Sequence, residues 1–84
     1  MFMPRYYFHL TNGQFIEDED GELLADDKAA RLTGVHVLSE MLLMRERTRG
    51  VDGQVSLYVE RADGVCFLTL QATVQEHGQP RPRP

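Results

Sequence analysis

Hydrophobic and polar residues alternate in four short stretches of the chain, and a longer stretch between them repeats with the period of a helix. Alternation in steps of two is typical of strands that bury one face, whereas apolar residues three and four positions apart are typical of a helix. The alternating stretches are RYYFHL (5–10), QFIED (14–18), VSLYVE (55–60) and VCFLTLQA (65–72). The pattern predicts an α+β fold in the order β-β-α-β-β, with one long helix packed on one face of an antiparallel four-stranded sheet.

The dipeptide Asn12-Gly13 separates the first two stretches and is a strong signal for a hairpin turn. A two-residue turn would place Phe8 opposite Glu17. A three-residue loop with a left-handed Gly13 would instead place Phe8 opposite Ile16. Because pairing two apolar residues lets both be buried, we predict the three-residue loop.

The last two strands are predicted to form a second hairpin with a two-residue turn at Asp63-Gly64. Every pair on the core side is then apolar: Val59 with Leu68, Leu57 with Leu70, and Val55 with Ala72. The opposite side carries Ser56 with Gln71, Tyr58 with Thr69, and Glu60 with Phe67. The turn residues and the alternation of apolar and polar residues therefore predict the same hairpin register. Cys66 is expected at the end of the core-facing row, as a small hydrophobic residue rather than a nucleophile.

Between the hairpins, a helix is predicted from an N-cap at Asp26 to about Arg47, and Gly50 should end it. Its sheet-facing side is predicted to be the stripe Ala30, Gly34, Val37, Met41 and Met44, flanked by Leu38. Gly34 would let the helix approach the sheet closely. A right-handed crossover after the second strand gives the spatial strand order 2-1-3-4.

The helix also carries apolar residues that should point away from the sheet. Leu32, Val35, Leu42 and Leu43 lie there together with His36 and Ser39. One interpretation is cover within the chain by Leu23, Leu24 or the C-terminal tail, together with ordinary exposed leucines. The other is self-association or a protein partner, because contiguous apolar patches mark interfaces.

The sheet face opposite the helix is predicted to be aromatic. Tyr7, His9, Phe15, Tyr58 and Phe67 should lie there. Aromatic sheet faces can stack unpaired bases, but such sites add basic residues, and here Glu17 and Glu60 lie beside the rings. A dimer contact or a peptide partner is therefore favoured over single-stranded nucleic acid.

Residues 16–27, IEDEDGELLADD, contain seven of the chain's thirteen carboxylates. Asp18, Asp20 and Asp27 fall at positions 3, 5 and 12 of a calcium-binding EF-hand loop, and Glu22 is a further candidate ligand. Position 1, however, is Ile16, and position 12 is an Asp rather than the bidentate Glu. We therefore favour a structural Asp20-Gly21 turn with solvated carboxylates, and keep weak divalent-cation binding as the alternative.

Composition narrows the class of protein. With 84 residues, 42% hydrophobic and 26% charged residues, the chain should form a single domain over residues 1–74, followed by a disordered Pro/Arg tail at 75–84. The net charge of −4 argues against nonspecific nucleic-acid binding. Neither a signal peptide nor a membrane-spanning stretch is recognisable, so a cytoplasmic location is the expectation.

No catalytic constellation is recognisable in the sequence. His9, His36 and His77 share no metal-ligand spacing, and the glycines do not form a phosphate-binding loop. We therefore expect no enzyme and no cofactor. The leading hypothesis is a small interaction module that forms a homo-oligomer, in the simplest case a dimer, or binds a protein partner.

The stretches PRYYFHL (4–10) and DEDGELLADDKAAR (18–31) resemble a family of small bacterial proteins, domain of unknown function 6894. Such proteins usually begin Met-Pro-Arg-Tyr, which would place the family start at Met3. The resemblance covers roughly residues 3 to 72 and departs at Thr11-Asn12, where the family often has a charged residue. It implies the strand, an acidic bend within residues 16–27, the Asp-capped helix and the closing hairpin, but no catalytic or binding residue.

Overall fold

The computed structural model describes residues 2–78 and 80–81. Its elements in chain order are β1 Arg5–Thr11, β2 Phe15–Ile16, β3 Glu22–Leu23, α1 Asp27–Thr48, β4 Gly53–Arg61 and β5 Cys66–Val74. All strands belong to one antiparallel sheet, and the helix packs on one face, so the predicted α+β class is confirmed. The expected four strands are joined by a fifth, the two-residue β3.

The sheet has the order β2-β1-β4-β5, which is the order 2-1-3-4 predicted for the four expected strands. β4 lies at the centre and pairs with β1 from Tyr6↔Arg61 to Thr11↔Ser56. The additional strand, β3, pairs with β1 at Arg5 and Tyr6, whereas β2 pairs with it at Leu10 and Thr11. Both short strands therefore line the same edge of β1.

The core lies between the helix and the three long strands. Its buried apolar residues are Tyr6, Phe8, Ala30, Leu38, Val55, Leu57 and Val59. Gly34 faces this core: a Cβ there would lie 3.3–3.4 Å from side-chain atoms of Leu70, Leu57 and Val59. The predicted close approach of the helix at Gly34 is therefore confirmed.

Both helix ends are closed as the sequence predicts. The Asp26 side chain accepts a hydrogen bond from the Ala29 amide at 2.8 Å. At the other end, the amides of Arg49 and Gly50 both donate to the Arg45 carbonyl, at 2.9 and 3.0 Å. Gly50 has φ +80°, the left-handed conformation that commonly ends a helix.

The predicted register of the first hairpin is wrong by two residues. Leu10, not Phe8, lies opposite Ile16, and the loop comprises residues 12–14, with Gly13 at φ +93°. The reason is that the Asp18 carboxylate accepts the Phe8 amide at 3.0 Å, so the acidic bend occupies the place opposite Phe8. A two-residue shift keeps each side chain on its predicted face, but Ile16 remains 48% exposed.

The second hairpin has the predicted pairs from Val55↔Ala72 to Val59↔Leu68, but its turn differs. The Arg61 amide donates to the Val65 carbonyl, which leaves a three-residue loop, 62–64, one residue longer than predicted. A β-bulge in β5 compensates, so Glu60 pairs with Cys66 instead of Phe67. The bulge exchanges the two faces: Cys66 is exposed, and Phe67 packs against the core.

β5 ends at Val74, where the predicted domain boundary lies. Residues 75–78 are exposed and contain neither helix nor strand. The rest of the predicted disordered tail falls in part on residues 79 and 82–84, outside the described residues.

Candidate functional site

The face of α1 that points away from the sheet has the apolar character predicted for it. Leu32 is 73% exposed, Val35 46% and Leu43 52%. His36 and Ser39 lie among them and are also exposed. These five residues, Leu32, Val35, His36, Ser39 and Leu43, are called the outer helix face below.

One residue predicted for this face lies elsewhere. Leu42 is half-buried and packs against the core, whereas Met44, predicted to face the sheet, is 66% exposed. The buried line of the helix runs through Ala30, Gly34 and Leu38 in steps of four. Each such step advances about 40° beyond a full turn, so the line drifts toward Leu42 and away from Met44.

The outer helix face has a shallow hollow at each end. One hollow lies beside Ala29, Leu32 and Val35, and the other beside Leu43, Met44 and Arg47. Between them, His36 and Glu40 form an exposed pair one turn apart, with Nε2 and Oε1 at 3.1 Å. The face therefore combines apolar hollows with a few polar groups on its flank, as interfaces commonly do.

The predicted aromatic sheet face is smaller than expected. The rings of Tyr7 and His9 are parallel with centroids 6.3 Å apart, and Phe15 lies 5.8 Å from His9. Phe15 is 59% exposed, but His9 is buried and Tyr7 and Tyr58 are half-buried. Phe67 is absent from this face because the bulge turns it to the helix side.

On the helix side, Phe67 joins a cluster that the sequence did not predict. The Tyr6 ring meets Phe67 edge-on with centroids 5.9 Å apart, and the Arg61 guanidinium lies 4.7 Å above the Phe67 ring. Asp27 accepts from the Tyr6 hydroxyl at 2.8 Å and from Arg61 Nε at 3.1 Å, and Arg61 Nη2 contacts its second oxygen. Arg61, and then the Tyr6 hydroxyl, lower the pKa of Asp27.

A second polar cluster holds the acidic bend against the sheet. His9 Nδ1 accepts the Asp18 amide at 3.1 Å, so the ring proton lies on Nε2, which faces Glu60 Oε1 at 2.7 Å. The His9 ring therefore connects β1, β4 and the bend. The only sequence signal for this role is the alternation, which places His9 near Glu60 on the same sheet face.

Asp18 is the centre of the acidic bend. Its Oδ2 accepts the Phe8 amide, and its Oδ1 accepts the amides of Asp20 at 3.2 Å and Gly21 at 3.0 Å. Partial burial opposes ionisation of Asp18, but these three amides, led by that of Gly21, outweigh it and lower its pKa. The Asp18 carboxylate thus has a structural role, whereas the sequence predicts solvated carboxylates in this turn.

The four carboxylates considered for a cation do not converge on one point. Asp18 is bound by backbone amides, Asp27 by Arg61 and Tyr6, Glu22 lies in β3 opposite Tyr6, and Asp20 is exposed. Among residues 2–78 and 80–81, no three His, Cys, Asp or Glu side chains are grouped closely enough to hold a metal ion. Within the described part of the chain, no cluster of carboxylates therefore supports the alternative of weak cation binding.

The model of a protein family described as domain of unknown function (DUF6894) matches residues 5–73. The chain belongs to the DUF6894 family. The predicted family is thereby confirmed, over residues that run from β1 into β5. No curated protein and no solved structure shows significant similarity to this DUF6894 chain.

Within the described part of this DUF6894 chain, α1 lacks the hydropathy that a bilayer-spanning helix needs. Three of its exposed apolar side chains, Leu32, Val35 and Leu43, lie together on the side that points away from the sheet. The outer helix face is therefore the candidate functional surface of this family member.

Proposed function

We propose that this protein is a small self-associating module in which the outer helix face packs against the same face of a second copy. The observation that carries the proposal is the exposure of Leu32, Val35 and Leu43 at 73%, 46% and 52% on one side of one helix. When a partner covers large apolar side chains that are exposed to water, the free energy is lowered. A row of three of them on one side of one helix, separated only by His36 and Ser39, supports an interface rather than ordinary surface.

The geometry of an α-helix brings this row into a narrow stripe. At 100° per residue, its members fall within about 80° of arc. They are Lys28, Leu32, Val35, Ser39, Leu43 and Glu46. Its apolar members lie on both sides of Ser39, and the stripe carries one cation and one anion at its two ends.

The end charges favour an antiparallel pair. A two-fold axis between Val37 and Leu38 would place Leu32 opposite Leu43 of the second copy. The same axis brings Lys28 close to Glu46. A parallel pair would place Lys28 beside Lys28 and Glu46 beside Glu46, which is electrostatically unfavourable.

The outer helix face is favoured over the aromatic sheet face because more of its apolar side-chain surface is still exposed and could be buried by a partner. On the sheet side, His9 is buried, and Tyr7 and Tyr58 are already half-buried. Glu60 lies beside these rings and is engaged by His9. On this geometry, a peptide or an unpaired base would gain less contact there than a second helix gains on the outer helix face.

Association is tested by light scattering after size exclusion over a concentration series. The wild-type chain should shift from monomer toward larger species as concentration rises, because a helix pair of this length is at the small end of interfaces. Leu32→Glu with Leu43→Glu should lower the apparent mass at each concentration at which the wild type associates. Gln14→Glu with Gln75→Glu adds the same charge at exposed sites off the helix and should behave as wild type. A wild-type chain that stays monomeric throughout contradicts the proposal.

Cross-linking tests the antiparallel arrangement. In a Cys66→Ser background, chains with Leu32→Cys and chains with Leu43→Cys are mixed and oxidised. The two-fold pairing predicts that mixed disulfides form faster than either like pair. Faster linkage of like chains would show that the helices associate in another orientation.

A further inference from the structure

β5 forms an open edge of the sheet. It is the last strand in the order β2-β1-β4-β5, and none of the described residues pairs with its outer side. In an antiparallel edge strand, alternate residues direct both the amide and the carbonyl away from the sheet. Cys66–Val74 therefore presents a row of donors and acceptors over a nine-residue strand.

This edge lacks most features that protect edge strands from pairing. Its sequence, CFLTLQATV, contains no charged residue and no proline. The β-bulge near Phe67 disturbs one end only, and the ladder with β4 is regular from Leu68 to Val74. Long, uncharged and regular edges are templates for another strand.

The side chains of β5 indicate what an added strand must offer. Leu68, Leu70 and Ala72 pack against the core but stay half-buried, while Thr69, Gln71 and Thr73 are exposed on the other face. A strand that completes this layer needs apolar residues on the helix side and uncharged polar residues on the other. β5 of a second copy has this alternation.

We propose that two copies of the chain pair β5 against β5 in antiparallel fashion and form one continuous sheet. A two-fold axis at Leu70 places Leu68 opposite Ala72 and Thr69 opposite Gln71 of the second copy. All cross-strand contacts are then apolar or neutral polar, with no like charges opposed. This interface is separate from the outer helix face, and together the two interfaces would build assemblies larger than a dimer.

The edge is tested in the Leu32→Glu, Leu43→Glu background, where the helix contact is removed. That background should still form a dimer at high concentration. Thr69→Lys with Gln71→Lys opposes like charges in both symmetric pairs and should weaken dimerisation about tenfold or more. Thr69→Glu with Gln71→Glu should do the same, and a mixture of the two charge variants should recover the dimer.

Gln54→Lys is the matched control, because it adds a cation on the neighbouring strand away from the edge. It should leave the dimer intact. A lysine variant that dimerises as well as its background, or a mixture of charge variants that stays monomeric, overturns the proposal. If the wild-type chain has the same mass as the Leu32→Glu, Leu43→Glu chain, the result counts against the helix contact and not against the pairing of β5.

Amide hydrogen exchange gives a readout on the strand itself. In the helix-face background, alternate amides between Phe67 and Thr73 should exchange more slowly as concentration rises. The same amides in the Thr69→Lys, Gln71→Lys chain should exchange at a rate independent of concentration. Concentration-independent exchange in both chains would show that β5 does not pair.

Discussion

The two edges of the sheet are built in opposite ways. Along β1, β2 and β3 pair with the strand at its two ends, and Asp18 takes the Phe8 amide between them. Along β5, no described residue provides a comparable partner. One edge is thus closed by the chain itself, and the other is left available.

The closed edge depends on a few polar contacts rather than on buried area. β2 and β3 have two residues each, and their apolar side chains at Phe15, Ile16 and Leu23 remain 48–59% exposed. What holds them in place is the bend, through Asp18 and its hydrogen bonds to Phe8 and Gly21. An edge closed mainly by hydrogen bonds should respond strongly to changes at single residues.

Gly21→Ala should have the largest effect on the closed edge. Gly21 has φ +69°, and a Cβ there would lie 2.8 Å from the Tyr6 carbonyl oxygen. Left-handed strain and the clash together should lower the free energy of unfolding by about 3 kcal/mol. The measurement is urea denaturation followed by circular dichroism.

Gly13→Ala is the matched control for Gly21→Ala. Gly13 has φ +93°, but a Cβ added there would meet no other atom within 4 Å, so only the backbone strain applies. Its cost should be about 1–2 kcal/mol. Equal losses at the two glycines would mean that contact with β1 does not constrain the bend.

Asp18→Ala should have the next largest effect. It leaves the amides of Phe8, Asp20 and Gly21 without their acceptor, which should cost about 2 kcal/mol in the free energy of unfolding. Faster amide exchange at Phe8 would locate the loss on the β1 edge. Asp20→Ala removes an exposed neighbouring carboxylate and should change stability little; a similar loss there would assign the effect to charge instead.

Much of the fold could be predicted because local signals agreed with one another. The Asp26 cap, the Gly50 end and the apolar pairs of the second hairpin each specify one arrangement. The spatial order then followed from the handedness of the crossover. The open edge at β5 is a consequence of that order.

The predictions are wrong where a single contact or a local irregularity outweighs the pattern. Asp18 sets the first hairpin by bonding to an amide ten residues away, which alternation does not reveal. The bulge exchanges Cys66 and Phe67, and a drift of the helix exchanges Leu42 and Met44. The outer helix face was otherwise predictable, since Leu32, Val35 and Leu43 lie opposite the Ala30–Gly34–Leu38 line.

The closed edge should also weaken in acid. The pKa of Asp18 lies below the usual value of 3.8, so the folded state releases this proton more readily than the unfolded state. The stabilisation of the fold by ionised Asp18 is complete above pH 3.8. It is lost as the pH falls from there through the folded-state pKa. Asp27, whose pKa is also lowered, contributes in the same direction.

The measurement is the free energy of unfolding of wild type and Asp18→Asn at a series of acidic pH values. The wild type should lose stability as pH falls, and Asp18→Asn should show a shallower slope. The amide of Phe8 should become less protected over the same interval in the wild type. Parallel slopes for both chains would show that other carboxyl groups account for the acid sensitivity.

The smallest effect on folding is expected at the open edge. Thr69 is exposed on β5, and Thr69→Lys removes no hydrogen bond that its side chain makes within the described residues. The free energy of unfolding of the dilute monomer should change by less than about 0.5 kcal/mol. Substitutions at Asp18 and Thr69 therefore test two different roles of a sheet edge. Asp18 maintains the fold, and Thr69 affects association. A loss at Thr69→Lys as large as that at Asp18→Ala, measured under monomeric conditions, would mean that β5 is as constrained as β1.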